Sequence, residues 1–219
     1  MTPESIWLLA MAVIIFAFKP GPCFFTSISY CLSHGVMGLV AFVSGFNIGL
    51  GVYISIVFIG LMGVNHLDLD LVFFAILAKS FAALYLIVLG VKELRGWDSA
   101  LNLNEIKIEK PKNFLEIMSS AVLLTLSNPM VIVFYASIIP AFIDPEIITL
   151  KLALLIGLML MVIDSLGMVI YCTPALLFRK IISQVFLKYI KLVSGIVIIS
   201  IGLYIGYTAL PAKDLTSVF

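Results

Sequence analysis

Apolar residues fall in long blocks along this chain, and the polar gaps between them are mostly short. A helix needs roughly 20 apolar residues, at about 1.5 Å of rise each, to cross a bilayer. Six segments are long enough: Ser5–Leu32, Val36–Gly63, Leu69–Glu93, Asn113–Ile143, Ile147–Leu177 and Val185–Leu210. The long polar stretch Arg95–Lys112 has Trp97 near its start and Pro111 near its end. It divides the chain into a first three-helix repeat (1–94), a loop (95–112) and a second three-helix repeat (113–219). The predicted fold is therefore all-α and integral to a membrane, with six transmembrane helices.

The halves show internal likeness. Lys79 to Gly90 spans the same interval as Lys191 to Gly202, an offset of 112, and Gly45 and Gly157 share that offset. Pro20 and Pro129 stand 109 apart. An odd number of spans per half inserts the second copy upside down, and inverted repeats of this kind place a solute site at their interface near the midplane.

Composition agrees with a lipid solvent. Hydrophobic residues make up 63% of the 219 residues and charged residues 11%, with a mean hydropathy of +1.22. Too few charges remain to cover a water-facing surface. The net charge of +1 gives no reason to expect nucleic acid. Positive residues set the orientation. Lys92, Arg95, Lys107, Lys110, Lys112, Arg179, Lys180 and Lys188 fall on one side, against Lys151 and Lys213 on the other. Both termini are expected outside, and the chain is expected in the cytoplasmic (inner) membrane, with its first apolar block an uncleaved anchor.

Two of the six spans carry a break. In the first, Lys19-Pro20-Gly21-Pro22 removes two backbone donors, and the carbonyls of Phe16 and Phe18 are expected to lose their helical partners. Gly21 and Pro22 then suit the start of a new half-helix. In the fourth, Ser127-Asn128-Pro129 frees the Thr125 carbonyl, and Asn128 and Pro129 suit the N-cap and first helical positions. Such breaks survive in hydrocarbon only where they are buried in protein or line a wet cavity. Half-helix N-termini carry partial positive charge and free N–H groups that suit a carboxylate. The alternative is a pair of proline kinks that only shape the helices.

With Pro-Gly-Pro in the first helix, Asn-Pro in the fourth, and Ala82-Ala83-Leu84-Tyr85-Leu86-Ile87-Val88-Leu89-Gly90 in the third, nearly the whole chain resembles the lysine exporter superfamily, LysE/RhtB type. The resemblance implies an exporter of amino acids or related solutes, driven by the proton motive force, with a homodimer as a candidate assembly. It carries a solute-binding role onto Pro20, Gly21, Pro22, Asn128 and Pro129. The chain departs from the family pattern at Lys19, where Thr or Ser is usual, and at Cys23, where Asn or Asp is frequent.

Other residues refine the picture. Asp164 lies near the centre of the fifth span, where a carboxylate costs about 2.5–3.5 kcal/mol on insertion scales. It is read as the proton-coupling group, or else as a structural ion partner of Lys19 or Lys79. Lys19 could hold a substrate carboxylate or pair with Asp164. Lys79 and Lys191 match in position and are also read as interfacial. Asn47, within Gly45-Phe46-Asn47-Ile48-Gly49, is read as facing the cavity or bonding across helices. Phe24, Phe25 and Tyr135 could line an apolar pocket. Gly202-Leu203-Tyr204-Ile205-Gly206 offers a close helix contact, with a dimer interface in view. His34 and His66 are read as surface residues. The three cysteines, Cys23, Cys31 and Cys172, form no paired or metal-ligand spacing and are read as buried thiols.

Neither a metal nor a cofactor is expected. An intramembrane serine protease would need a Gly before Val43-Ser44-Gly45, so an enzyme is not expected either. A channel built from the same breaks and a metal-cation exporter are the alternatives to an amino-acid exporter. For the metal exporter, the required Cys/His/carboxylate cluster is missing. One buried carboxylate offset by Lys19 favours a neutral amino acid of the threonine, homoserine or leucine kind over a cationic one.

Overall fold

The computed structural model describes residues 3–19, 21–64, 71–95, 113–143, 145–177 and 184–209. Among these it is all-helical: α1 Pro3–Ala17, α2 Pro22–Val64, α3 Leu71–Arg95, α4 Phe114–Leu126, α5 Pro129–Phe142, a 3-10 turn Pro145–Ile147, α6 Leu150–Leu177 and α7 Gln184–Ala209. By length and apolarity Pro22–Gly63 and Leu150–Pro174 can each cross a membrane. Helices α4 and α5, bent by 61° at their junction, make a third candidate if they count as one span. Pro20, His66, Lys213 and the polar stretch 96–112 lie outside the described residues, as do Arg179 and Lys180.

Local sequence explains where these helices start and stop. The polar stretch ends in a capping box: Glu116 N–H donates to Asn113 Oδ1 at 2.9 Å, and Asn113 N–H donates to Glu116 Oε2 at 3.0 Å. Gly35 is the one residue of α2 off helical backbone angles (φ 63°, ψ −144°). A left-handed φ is open to glycine at little steric cost. The expected gap between Leu32 and Val36 is therefore a one-residue kink inside α2. His34, expected at the surface, is half-buried there, with its ring 6.0 Å from that of Tyr30.

Packing between the helices relies on small residues, as expected where no hydrophobic gradient drives association. A Cβ on Gly45 would strike the Met118 carbonyl, and one on Gly49 would come within 2.8 Å of Thr125 Cβ, so α2 lies directly on α4. A Cβ on Gly90 would sit 2.7 Å from the Gly195 carbonyl oxygen, and one on Gly202 would sit 3.1 Å from that of Ala83. Gly202 and Gly206 thus serve the α3–α7 contact within the chain, where the sequence had suggested a dimer interface. Helical spacing identifies a small face but not the helix that meets it. Among the described residues the extensive contacts join helices of different halves: α3 with α7 and α5, α2 with α4 and α6, and α1 with α6. Lys79 is half-buried on α3, and the side chain of Lys191 lies outside the described residues.

Candidate functional site

The ends of α1, α2 and α5, the middle of α6 and a residue farther along α2 enclose a cavity of about 50 Å³, lined by Phe16, Lys19, Gly21, Pro22, Cys23, Phe24, Phe46, Asn128, Met130, Asp164 and Tyr171 among others. Its backbone frame comes from the two proline-containing segments. After α1 the chain makes a turn in which Lys19 N–H donates to the Phe16 carbonyl at 3.1 Å, so that carbonyl keeps a partner after all. Helix α2 begins at Pro22, and Phe25 N–H donates to the Gly21 carbonyl at 3.0 Å. Cys23 and Phe24, its next residues, line the cavity, so the partly positive N-terminal end of α2 is presented to it.

The α4–α5 junction is more self-contained. Asn128 caps α5 by accepting from Met130 N–H at 3.1 Å, and its own N–H donates to the Thr125 carbonyl at 3.1 Å. The Val131 N–H is taken by the Asn128 carbonyl at 3.1 Å. These bonds correct the expectation of freed groups at this junction: the cap occupies the first N–H groups of α5, and Asn128 occupies the Thr125 carbonyl. The Leu126 carbonyl accepts from the Tyr53 hydroxyl of α2. Asn128 Nδ2 reaches back across the cavity to Cys23 Sγ at 3.4 Å, which ties the two segments together.

Two buried charged side chains face this space. Lys19 is 8% exposed and Asp164 3%. Lys19 Nζ contacts Met130 Sδ at 3.7 Å. Asp164 accepts a hydrogen bond from the Tyr135 hydroxyl. Tyr135 is itself fully buried and packs edge-on to Phe134 and Phe16, with ring centroids at 5.2 Å and 6.2 Å. Phe16 stacks flat on Phe134 at 3.7 Å, which fixes the end of α1 against α5. On the other wall the Tyr171 ring lies 4.4 Å from that of Phe24, and Ser27 Oγ donates to the Tyr171 hydroxyl at 3.3 Å.

Of the residues singled out from the sequence, Lys19, Gly21, Pro22, Asn128 and Asp164 meet at this cavity. Pro20 lies outside the described residues. Pro129 is exposed at the start of α5 and is not among the lining residues. Tyr135 reaches the space only through Asp164. Asn47 donates from Nδ2 to Ser165 Oγ at 2.7 Å, bonding across α2 and α6, and its neighbour Phe46 lines the cavity instead. Phe25 is buried away from the lining, whereas Phe24 forms part of it. Cys23, marked in the sequence as a departure from the family pattern and expected as a buried thiol, is half-buried and lines the cavity, whereas the sequence did not single out Met168 or Tyr171. The signal for the last two was present. Residues 164, 168 and 171 share one helical face, so a functional Asp164 points to both. Among the described residues no group of His, Cys, Asp and Glu could hold a metal ion.

The family model described as LysE type translocator matches residues 14–209. The chain is 30% identical over 175 residues to the homoserine/homoserine lactone efflux protein of Salmonella typhimurium, covering 80% of this chain and 82% of that protein. The protein of the same description from Salmonella typhi gives the same identity and coverage. An uncharacterized membrane protein of Vibrio cholerae is 30% identical over 171 residues, covering 78% of this chain and 80% of its own length. No solved structure matches the chain.

Proposed function

The chain belongs to the LysE type translocator family, and from that premise we propose a secondary exporter of small zwitterionic amino acids that binds its solute between Lys19 and Asp164. Its membership and its efflux-protein relatives make it a membrane transporter of small molecules, not an enzyme. The observation that carries the finer reading is a buried cation and a buried anion lining one cavity. A solute carrying both an ammonium and a carboxylate is complementary in charge to these two groups. The partial positive N-terminus of α2 adds to the carboxylate side.

The remaining features belong to the same proposal. The six spans form two inverted three-helix repeats, with the α1–α2 and α4–α5 junctions as their matching breaks. Both termini lie outside the cytoplasmic membrane. Asp164 takes up a proton when solute leaves, which makes the cycle a proton antiport. The cavity of about 50 Å³ has room for a few waters, at roughly 10–15 Å³ each, so an amino acid enters only when the repeats move apart, as alternating access requires. In proteoliposomes, saturable counterflow that depends on a pH gradient is the expected result. Conductance without saturation would instead favour a passive pore.

The relatives' description gives a sharper test of the two charges. Homoserine carries an ammonium and a carboxylate; ring closure to its lactone removes the carboxylate and leaves the amine. The proposal assigns the amine of both to Asp164 and the carboxylate of homoserine alone to Lys19. Lys19→Met keeps the apolar stem and removes the charge. It is expected to raise the half-saturating concentration of homoserine by about tenfold or more, the size of one charged hydrogen bond, and to leave the lactone unchanged or tighter. Equal losses for both solutes would remove Lys19 from the binding role.

A further inference from the structure

A second and larger cavity lies away from the charged pair. It is a groove of about 250 Å³ between the later part of α2 and the start of α6. Ile54, Phe58 and Ala153 form its buried floor, while Ile59, Leu154 and Leu158 are exposed along its rims. Ser55 is the one polar side chain among its described lining residues, so it offers nothing to a zwitterionic solute. We propose that this groove holds one acyl chain of a phospholipid, whose phosphate meets Lys151 at the groove's mouth.

Length, width and charge argue for this occupant. Along α2 the lining runs from Gly51 to Met62, and along α6 from Leu150 to Met161. Each stretch rises about 16 Å, close to half of the roughly 30 Å hydrocarbon core. The groove therefore covers one leaflet, from surface to midplane. Spread over that length, its volume leaves a channel roughly 5 Å across, wide enough for a single file of methylenes at ordinary carbon contact distance. A helix from a second copy, about 10–12 Å wide with its side chains, does not fit inside it. The floor residues would otherwise face a gap in the lipid, where the lining loses its dispersion contacts. Exposed Lys151, the second residue of α6, adjoins Leu150 at the surface end and provides the positive charge that a lipid phosphate seeks.

The test uses the whole protein in nanodiscs that contain phosphatidylglycerol with a photoreactive diazirine midway along one acyl chain. Labelled peptides are mapped by mass spectrometry. Labelling is expected to concentrate on 51–62 and 150–161. Ser55→Trp, a rim substitution that fills the groove from the side, is expected to abolish that concentration. Lys151→Glu is expected to lower groove labelling by about fivefold, the worth of one Lys–anionic lipid contact, and being a surface change it remains informative if the Trp variant does not fold. Labelling equally frequent at the exposed α3 positions Leu84 and Val88 would overturn the proposal, as would crosslinks from the groove to a second copy of the chain. Because the readout is lipid contact, failure here leaves the solute site untouched, and a failure of transport leaves the groove untouched.

Discussion

Asp164 and Tyr135 work as a pair. The carboxylate accepts from a hydroxyl that is itself locked in an aromatic cluster. Asp164→Asn keeps an oxygen that can accept the same bond, so the fold and thermal stability are expected to stay close to those of the parent. What the variant loses is the group that the proposed antiport uses to bind and release a proton. In proteoliposomes it is expected to retain solute exchange at reduced affinity and to lose accumulation driven by a pH gradient; undiminished pH-driven accumulation would sink the coupling role. At this scale the sequence was legible where a charge stood in an apolar block, as with Lys19 and Asp164. It was not legible where the question was helical phase. One step of about 100° decides between Phe46, which lines the cavity, and Asn47, which bonds to Ser165. Cys23 was legible as a departure from the family pattern beside the first break, but its partner was not: only the turn after α1 brings it opposite Asn128.

Helix ends were easier to read, because Pro, Gly and Asn act within one turn of themselves. Two caps of the same chemistry now stand in different places. Asn113 caps α4 at an exposed end, and Asn128 caps α5 beside the cavity that holds Lys19 and Asp164. Each is expected to cost about 0.5–2 kcal/mol of stability when changed to Ala, measurable as a fall in melting temperature in detergent. Only Asn128→Ala is also expected to raise the half-saturating solute concentration, since it loses the Cys23 contact and releases the start of α5. Parallel transport defects in both variants would mean that capping acts through stability alone. Contact glycines make a second contrast. Gly49→Leu drives a side chain into Thr125 and is expected to destabilise by roughly 1–3 kcal/mol. Gly60→Ala, where nothing lies within 4 Å, is expected to be neutral or slightly stabilising. What the sequence could not supply was the partner. Gly202 was visible as half of a small-residue pair, but its place against Ala83 of α3 depends on how the halves dock.

That docking is a property of the whole molecule. The extensive contacts among the described helices run between halves, α2 on α4 and α6, α3 on α7 and α5, α1 on α6. The cavity likewise draws Lys19 and Cys23 from the first half and Asn128 and Asp164 from the second. Each half taken alone leaves its glycine-lined faces without the surfaces they pack on. The two halves are therefore expected to be interdependent folding units. Residues 1–94 or 113–219 expressed singly should be degraded or aggregate, whereas the two co-expressed as separate chains should assemble and transport, because the join between them is the polar stretch of the sequence. Reconstituted counterflow from the split pair, together with its absence from either half, is the expected outcome. A stable, monodisperse single half in detergent would show that the cross-half contacts contribute less than the short contacts within each half.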